Sequence, residues 1–157
     1  MSLAPPKSVS VPGRRFKVGI AAARYNGPLV EGLLAQATAA LREAGVRGGN
    51  IEVIRVPGSN ELPVAAQRLA ARRRPDVLIA LGVIVRGGTI HYELIAHAVA
   101  GALQRVALDS GRPVINAVVV AETTVQAEAR CRGRRSRGAE FARSALAMAA
   151  LRRELVQ

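Results

Sequence analysis

The stretch Arg86-Gly87-Gly88-Thr89-Ile90-His91 gathers the groups that chemistry on a small anionic molecule requires. A glycine pair lets backbone come close to a ligand, and the unpaired N–H groups where a helix starts point at an anion. An imidazole that titrates near neutrality takes and returns a proton at cellular pH. Read alone, however, Gly87-Gly88 is also an ordinary turn, and His91 is also an ordinary capping or surface histidine. Its neighbours in the fold must decide between these readings.

The elements that would position this stretch follow from hydrophobic pattern. Phe16 to Ala22, Ile51 to Val56, Asp76 to Val85 and Pro113 to Val120 are short runs rich in strand formers. Pro28 to Ala44 carries Leu29, Leu33, Leu34, Ala37 and Leu41 at helical spacing and stops at Gly45, a C-terminal cap. Leu62 to Arg73 predicts a second helix, with Pro63 tolerated in its first turn. Thr89 or Ile90 to Ser110, closed by Gly111, predicts a third that carries His91 one turn in. Thr123 to Ala129 and Ala139 to Leu155 complete the chain.

Strands alternating with helices imply right-handed crossovers and a parallel sheet covered on both faces. The almost wholly apolar run from Asp76 to Val85 suits a central strand buried on both sides. The expected architecture is therefore α/β: a flavodoxin-like three-layer αβα sandwich around a four-stranded parallel sheet. Residues 14–157 form its single domain. Residues 1–13, with Pro5, Pro6 and Pro12, read as a flexible N-terminal arm without the apolar core of a signal peptide.

In such a sheet, ligands bind beyond the carboxyl ends of the strands. Inspected in that light, the loops after the strands hold Arg24-Tyr25-Asn26, then Gly58-Ser59-Asn60-Glu61, then the Arg86 to His91 stretch. Asn116 lies within the fourth strand, and Glu122-Thr123-Thr124 follow it. An aromatic ring, amides, hydroxyls, a carboxylate and an imidazole suit a polar, ring-bearing small molecule. In a chain this poor in aromatics, Tyr25 directly after a strand reads as a stacking platform. Glu61 and Ser59 also have ordinary roles at a helix start. Gly87-Gly88-Thr89 at a helix entry offers an anion site as well as an ordinary turn, with Arg130 and Arg137 as candidate balancing cations. His91 and His97 have no acid cluster beside them, so no metal is expected.

Composition narrows the class further. The chain has 157 residues, half of them apolar and 3% aromatic, so a Val, Ile, Leu and Ala core is expected. One cysteine, Cys131, forbids an intrachain disulfide. Positive neighbours can activate such a thiol, but the simpler reading is a tolerated small residue. No apolar run reaches bilayer length, which makes the cytoplasm the expected compartment. The net charge of +12 invites nucleic acid. Yet the arginines are scattered except at 72–74 and 130–137, and no RNA-recognition or zinc-finger motif accompanies them. Nucleic acid is not expected as the main partner.

Val18-Gly19-Ile20 with Ala23-Arg24-Tyr25-Asn26, Val56-Pro57-Gly58-Ser59-Asn60-Glu61-Leu62-Pro63, and Ala80 to Glu93 through Arg86-Gly87-Gly88-Thr89-Ile90-His91 resemble the lumazine synthase family in order and spacing. The likeness runs from about Phe16 to the last helix. It implies condensation of 5-amino-6-(D-ribitylamino)uracil with 3,4-dihydroxy-2-butanone 4-phosphate, giving 6,7-dimethyl-8-ribityllumazine, phosphate and water, with no metal or organic cofactor. By position, Tyr25 would stack on the pyrimidine. Asn26, Ser59, Asn60, Glu61 and Asn116 would line the pyrimidine and ribityl site, and backbone of Val83, Ile84 and Val85 would read the ring. Gly88, Thr89, Arg130 and Arg137 would hold phosphate, and His91 would shuttle protons. The resemblance also implies a homo-oligomer built on pentamers, with sites between subunits.

Three places depart from the family pattern. Asn116 stands where Phe is frequent, Ser59-Asn60 replaces a small apolar residue and a larger aromatic or aliphatic one, and the segment after Arg130 is arginine-rich and about one residue shorter. The alternative to an active enzyme is a catalytically weakened paralogue acting as a flavin- or pyrimidine-binding or scaffold oligomer.

Overall fold

The computed structural model describes residues 10–133 and 136–156. Most of the proposed arm, residues 1–9, lies outside the described residues, as do Arg134 and Arg135 of the arginine-rich segment. The strands are β1 (Val18–Ala23), β2 (Ile51–Val56), β3 (Val77–Val85) and β4 (Val114–Ala121). The helices are α1 (Gly27–Glu43), α2 (Leu62–Arg73), α3 (His91–Ser110), α4 (Thr124–Cys131) and α5 (Gly138–Val156). All strands pair in parallel, in the order β2-β1-β3-β4. The expected three-layer α/β sandwich is observed.

The two faces of the sheet use alternate residues of the same strand. Ile79, Leu81 and Val83 of β3 face a core built with Leu29, Val30, Leu33 and Leu41 of α1 and Phe141 and Leu146 of α5. Leu78 and Ala80 face Leu62 and Leu69 of α2 and Val99 and Leu103 of α3. A strand covered on both faces must be apolar at every position, and β3 is buried from Val77 through Ile84.

Boundaries differ from expectation where a side chain intervenes. Phe16 and Lys17 stand before β1, not in it: the Phe16 N–H turns back to Gly13, and the Lys17 N–H donates to the Asp76 carboxylate at 2.7 Å. Asn26 adopts left-handed φ of 55° and so starts α1 one residue before Pro28. Gly45 (φ 93°) and Gly111 (φ 61°) end α1 and α3 as expected, in a conformation that glycine adopts without a Cβ penalty. Thr123 caps α4, accepting from the Gln126 N–H, and that helix extends to Cys131, so Arg130 lies in its last turn rather than in a linker.

Candidate active site

The carboxyl ends of β1, β2 and β3 open into a cleft of about 430 Å³. Tyr25, Asn26, Gly58, Ser59, Asn60, Glu61, Val83, Ile84 and Val85 line it, together with Gly87, Thr89, His91, Tyr92 and Ile95. Three loops far apart in sequence thus meet at one place, as the strand order requires.

One wall is built by cross-strand bonding that continues past the strand ends. The Arg24 N–H donates to Val56 O at 2.8 Å and the Tyr25 N–H to Pro57 O at 3.0 Å. The Tyr25 ring is left 74% exposed, available to a planar ligand. Asn26 sends its Nδ2 across to Val83 O at 2.8 Å, which pins the first loop to the central strand. Part of the amide expected to meet substrate is therefore spent internally, leaving Asn26 Oδ1 as an acceptor.

The second loop is a tight turn over Ser59–Glu61 leading into α2. Glu61 Oε2 accepts the Gly58 N–H at 2.8 Å, satisfying a backbone donor and fixing the carboxylate beside the cleft. Ser59 is buried, pressed against β3 at Gly82, whereas Asn60 is exposed at the rim.

The third loop is longer than its sequence implies. Helix α3 begins only at His91, so the imidazole stands at the first helical residue and not one turn in. The reason is local: residues 86–90 form an extended turn, and the His91 N–H reaches back to Thr89 Oγ1 at 3.4 Å. His91 therefore sits at the positive end of the α3 dipole. Gly88 shares this loop, but it is Gly87 and Thr89 that line the cleft. The Arg86 N–H donates to Ala121 O at 2.9 Å, tying the base of the loop to β4.

Tyr92 and Ile95 line the cleft and were missed as site residues. Their signal was present: Ile95 lies four residues after His91 and so shares its helical face. Tyr92 donates its hydroxyl to Glu93 Oε1 at 2.7 Å, and this bond to a carboxylate holds the phenol above its ordinary pKa.

Asn116, Arg130 and Arg137 do not join this cleft. Asn116 is exposed in the lower half of β4, paired with Ala80, and its Oδ1 accepts the Val118 N–H at 3.1 Å. Arg130 is exposed at the end of α4. Arg137 forks onto Glu140 at 3.0 and 2.6 Å and stacks over Phe141, and its N–H bonds Arg130 O. That fork pulls the Glu140 carboxyl below its ordinary pKa and lifts the guanidinium above its own. Among the described residues, no group of three or more His, Cys, Asp or Glu side chains gathers as metal ligands.

The family profile of 6,7-dimethyl-8-ribityllumazine synthase matches residues 15–153. The chain belongs to that family. It is 42% identical over 143 residues to a 6,7-dimethyl-8-ribityllumazine synthase of Paracidovorax citrulli, covering 91% of each chain. A Chromobacterium violaceum protein of the same name is 40% identical over 143 residues, covering 91% of this chain and 90% of its own. The lumazine synthase match extends through all three cleft loops and both core faces, well beyond any single motif.

Proposed function

We propose that this cleft condenses 5-amino-6-(D-ribitylamino)uracil with 3,4-dihydroxy-2-butanone 4-phosphate. Family membership makes the chain a transferase of riboflavin biosynthesis. The observation that carries the site-level reading is the meeting of Tyr25, Glu61 and His91 around one cleft at the strand ends. Tyr25 offers a ring face for the pyrimidine, while Val83 to Val85 offer backbone groups to its edge. Ser59, Asn60 and Glu61 receive the ribityl chain. Thr89 and the N–H groups from Gly88 onward receive the phosphate at the start of α3. His91, beside them, moves protons during imine formation and phosphate loss. Holding both substrates in register supplies much of the rate enhancement.

The phosphate charge calls for cations, and none of the described residues that line the cleft is a lysine or arginine. We propose that Arg130, Arg137 and Asn116 complete the cleft of a neighbouring copy in a pentameric ring. Exposed Leu94 and Leu108 on α3 and Val120 on β4 support such a contact. No helix among the described residues is long and apolar enough to cross a membrane, and we place the reaction in the cytoplasm.

Mixing pure protein with both substrates and following lumazine fluorescence tests this reading. Turnover is expected. Tight binding of the pyrimidine without turnover would instead support the weakened-paralogue alternative.

A further inference from the structure

The end of the sheet opposite the cleft has its own chemical character. Every segment that leads into a strand delivers arginine. Arg47 precedes β2, Arg14, Arg15 and Lys17 precede β1, Arg74 precedes β3, and Arg112 precedes β4. Arg152 and Arg153 come to the same end from α5: Arg152 Nε donates to Gly111 O at 2.7 Å, and Arg153 pairs with Asp76 at 3.0 Å. These arginines are scattered in sequence, which disguises them, but the order β2-β1-β3-β4 sets them in a row. Four parallel strands span roughly 15 Å at their ordinary spacing, room for several phosphates of an extended strand.

The acids at this end are fewer than the cations and offset the row only in part. Asp76 is taken by Arg153 and by the Lys17 N–H, and Asp109 by Arg105 at 3.6 Å. Glu43 and Glu154, in the last turns of α1 and α5, make no ion pair among the described residues. Arg14, Arg15, Lys17, Arg47, Arg74, Arg112 and Arg152 likewise have no carboxylate within ion-pair distance among the described residues. Arg112 is braced by Pro75 O at 2.5 Å and Arg152 by Gly111 O, so like charges are held together by backbone carbonyls. Burial and the nearness of Arg152 and Arg74 push the Arg112 guanidinium below its ordinary pKa. The aromatic ring at this end, Phe16, is fully buried beneath Arg15 and Arg153 and offers no stacking face.

We propose that this arginine row is a second binding surface that takes the phosphate backbone of single-stranded nucleic acid without reading its sequence. It lies at the opposite end of the strands from the substrate cleft and uses none of the cleft's residues. It therefore stands or falls independently of the lumazine synthase reaction. A discrete pocket for one phosphate ester is less well matched, because the cations are spread along the whole sheet end.

Fluorescence anisotropy of a labelled 30-nucleotide oligouridylate, titrated with the intact assembled protein, tests this. About five phosphate contacts predict a loss of affinity of roughly 100-fold between 50 and 200 mM salt. Arg47→Glu/Arg74→Glu, both exposed and outside the catalytic site, is expected to weaken binding at least tenfold and flatten the salt slope. Lumazine formation is expected to stay unchanged. Arg68→Glu/Arg143→Glu removes the same charge from the helical flanks and is expected to have little effect. Absent or salt-insensitive binding overturns the proposal, as does equal loss in the two charge-reversed proteins. Tighter capture of polyglutamate than of the oligonucleotide would reassign the surface to an acidic protein. Circular dichroism confirms that the variants fold, and should Arg47→Glu/Arg74→Glu fail to, Arg47→Gln/Arg74→Gln takes its place.

Discussion

Ser59 and Gly82 are in such close apposition that a Cβ on residue 82 would stand 2.5 Å from the Ser59 hydroxyl oxygen. Leu62 Cδ1 would lie 3.0 Å from the same Cβ. The absence of a side chain at Gly82 is what lets the second cleft loop lie on the central strand. Gly82→Ala is expected to destabilise the fold by about 2 kcal/mol, the usual scale for overpacking. Because the displaced loop carries Glu61, kcat/KM should fall by more than the folded fraction does. Urea denaturation with parallel kinetics on the folded enzyme measures both.

His91→Ala should lower kcat about 100-fold, the scale of a lost acid–base group, and change KM little. Arg130→Ala should mainly raise KM for the phosphorylated substrate. An unchanged kcat in the first variant removes His91 from proton transfer.

If Arg130 serves the neighbour's cleft, the two impaired proteins complement each other when the phosphorylated substrate is held well below the KM of Arg130→Ala. Co-refolding equal amounts of His91→Ala and Arg130→Ala chains should restore about a quarter of wild-type activity, the share of clefts that draw both intact residues. Each variant refolded alone provides the baseline. Activity no higher than that baseline would mean that His91 and Arg130 serve the same subunit.

The Glu140–Arg137 fork predicts a small acid sensitivity. A carboxyl whose folded pKa is depressed contributes stability above its ordinary range and loses it as pH falls through the lower value. Both partners are partly exposed, so the contribution is only about 0.5 kcal/mol. Glu140→Gln should therefore lower Tm at pH 7, with the difference from wild type shrinking as the pH falls below the ordinary carboxyl range.

Cys131 is buried, and burial pushes its thiol up to about 11 despite Arg132 beside it. Native protein at pH 8 should resist Ellman's reagent, and denatured protein should react at once. Rapid native labelling would show that the arginine neighbours govern this thiol.

Strand and helix positions were legible because apolar period is a local property. β2 and α2 match their expected bounds to the residue, as expected where Pro57-Gly58 and Pro63 punctuate the chain. The start of β1 was not legible, because it is set by Asp76, which lies far away in sequence and claims the Lys17 N–H. The cleft residues followed from the rule that loops after parallel strands converge. Asn26 lines the cleft, but its bond to Val83 O depends on the spacing of β1 and β3, which no local pattern encodes. The row of arginines was hidden for the same reason: a charge run is visible in sequence, but a charge row made by strand order is not.

The Asn26–Val83 bond has a further consequence. Together with Arg24–Val56, Tyr25–Pro57 and Glu61–Gly58, it makes one side of the cleft a stitched unit, whereas the Gly87–Ile90 side is held by Arg86–Ala121 at its base and Thr89–His91 at its end. Amide protons on the two sides should then exchange with solvent at unequal rates, slow at Arg24 and Tyr25 and fast at Gly87 and Gly88. If the proposed subsites hold, a cleft that is half anchored and half yielding predicts an order of loading, with the ring settling on the anchored side before the phosphate; stopped-flow binding of each ligand alone and after the other checks it.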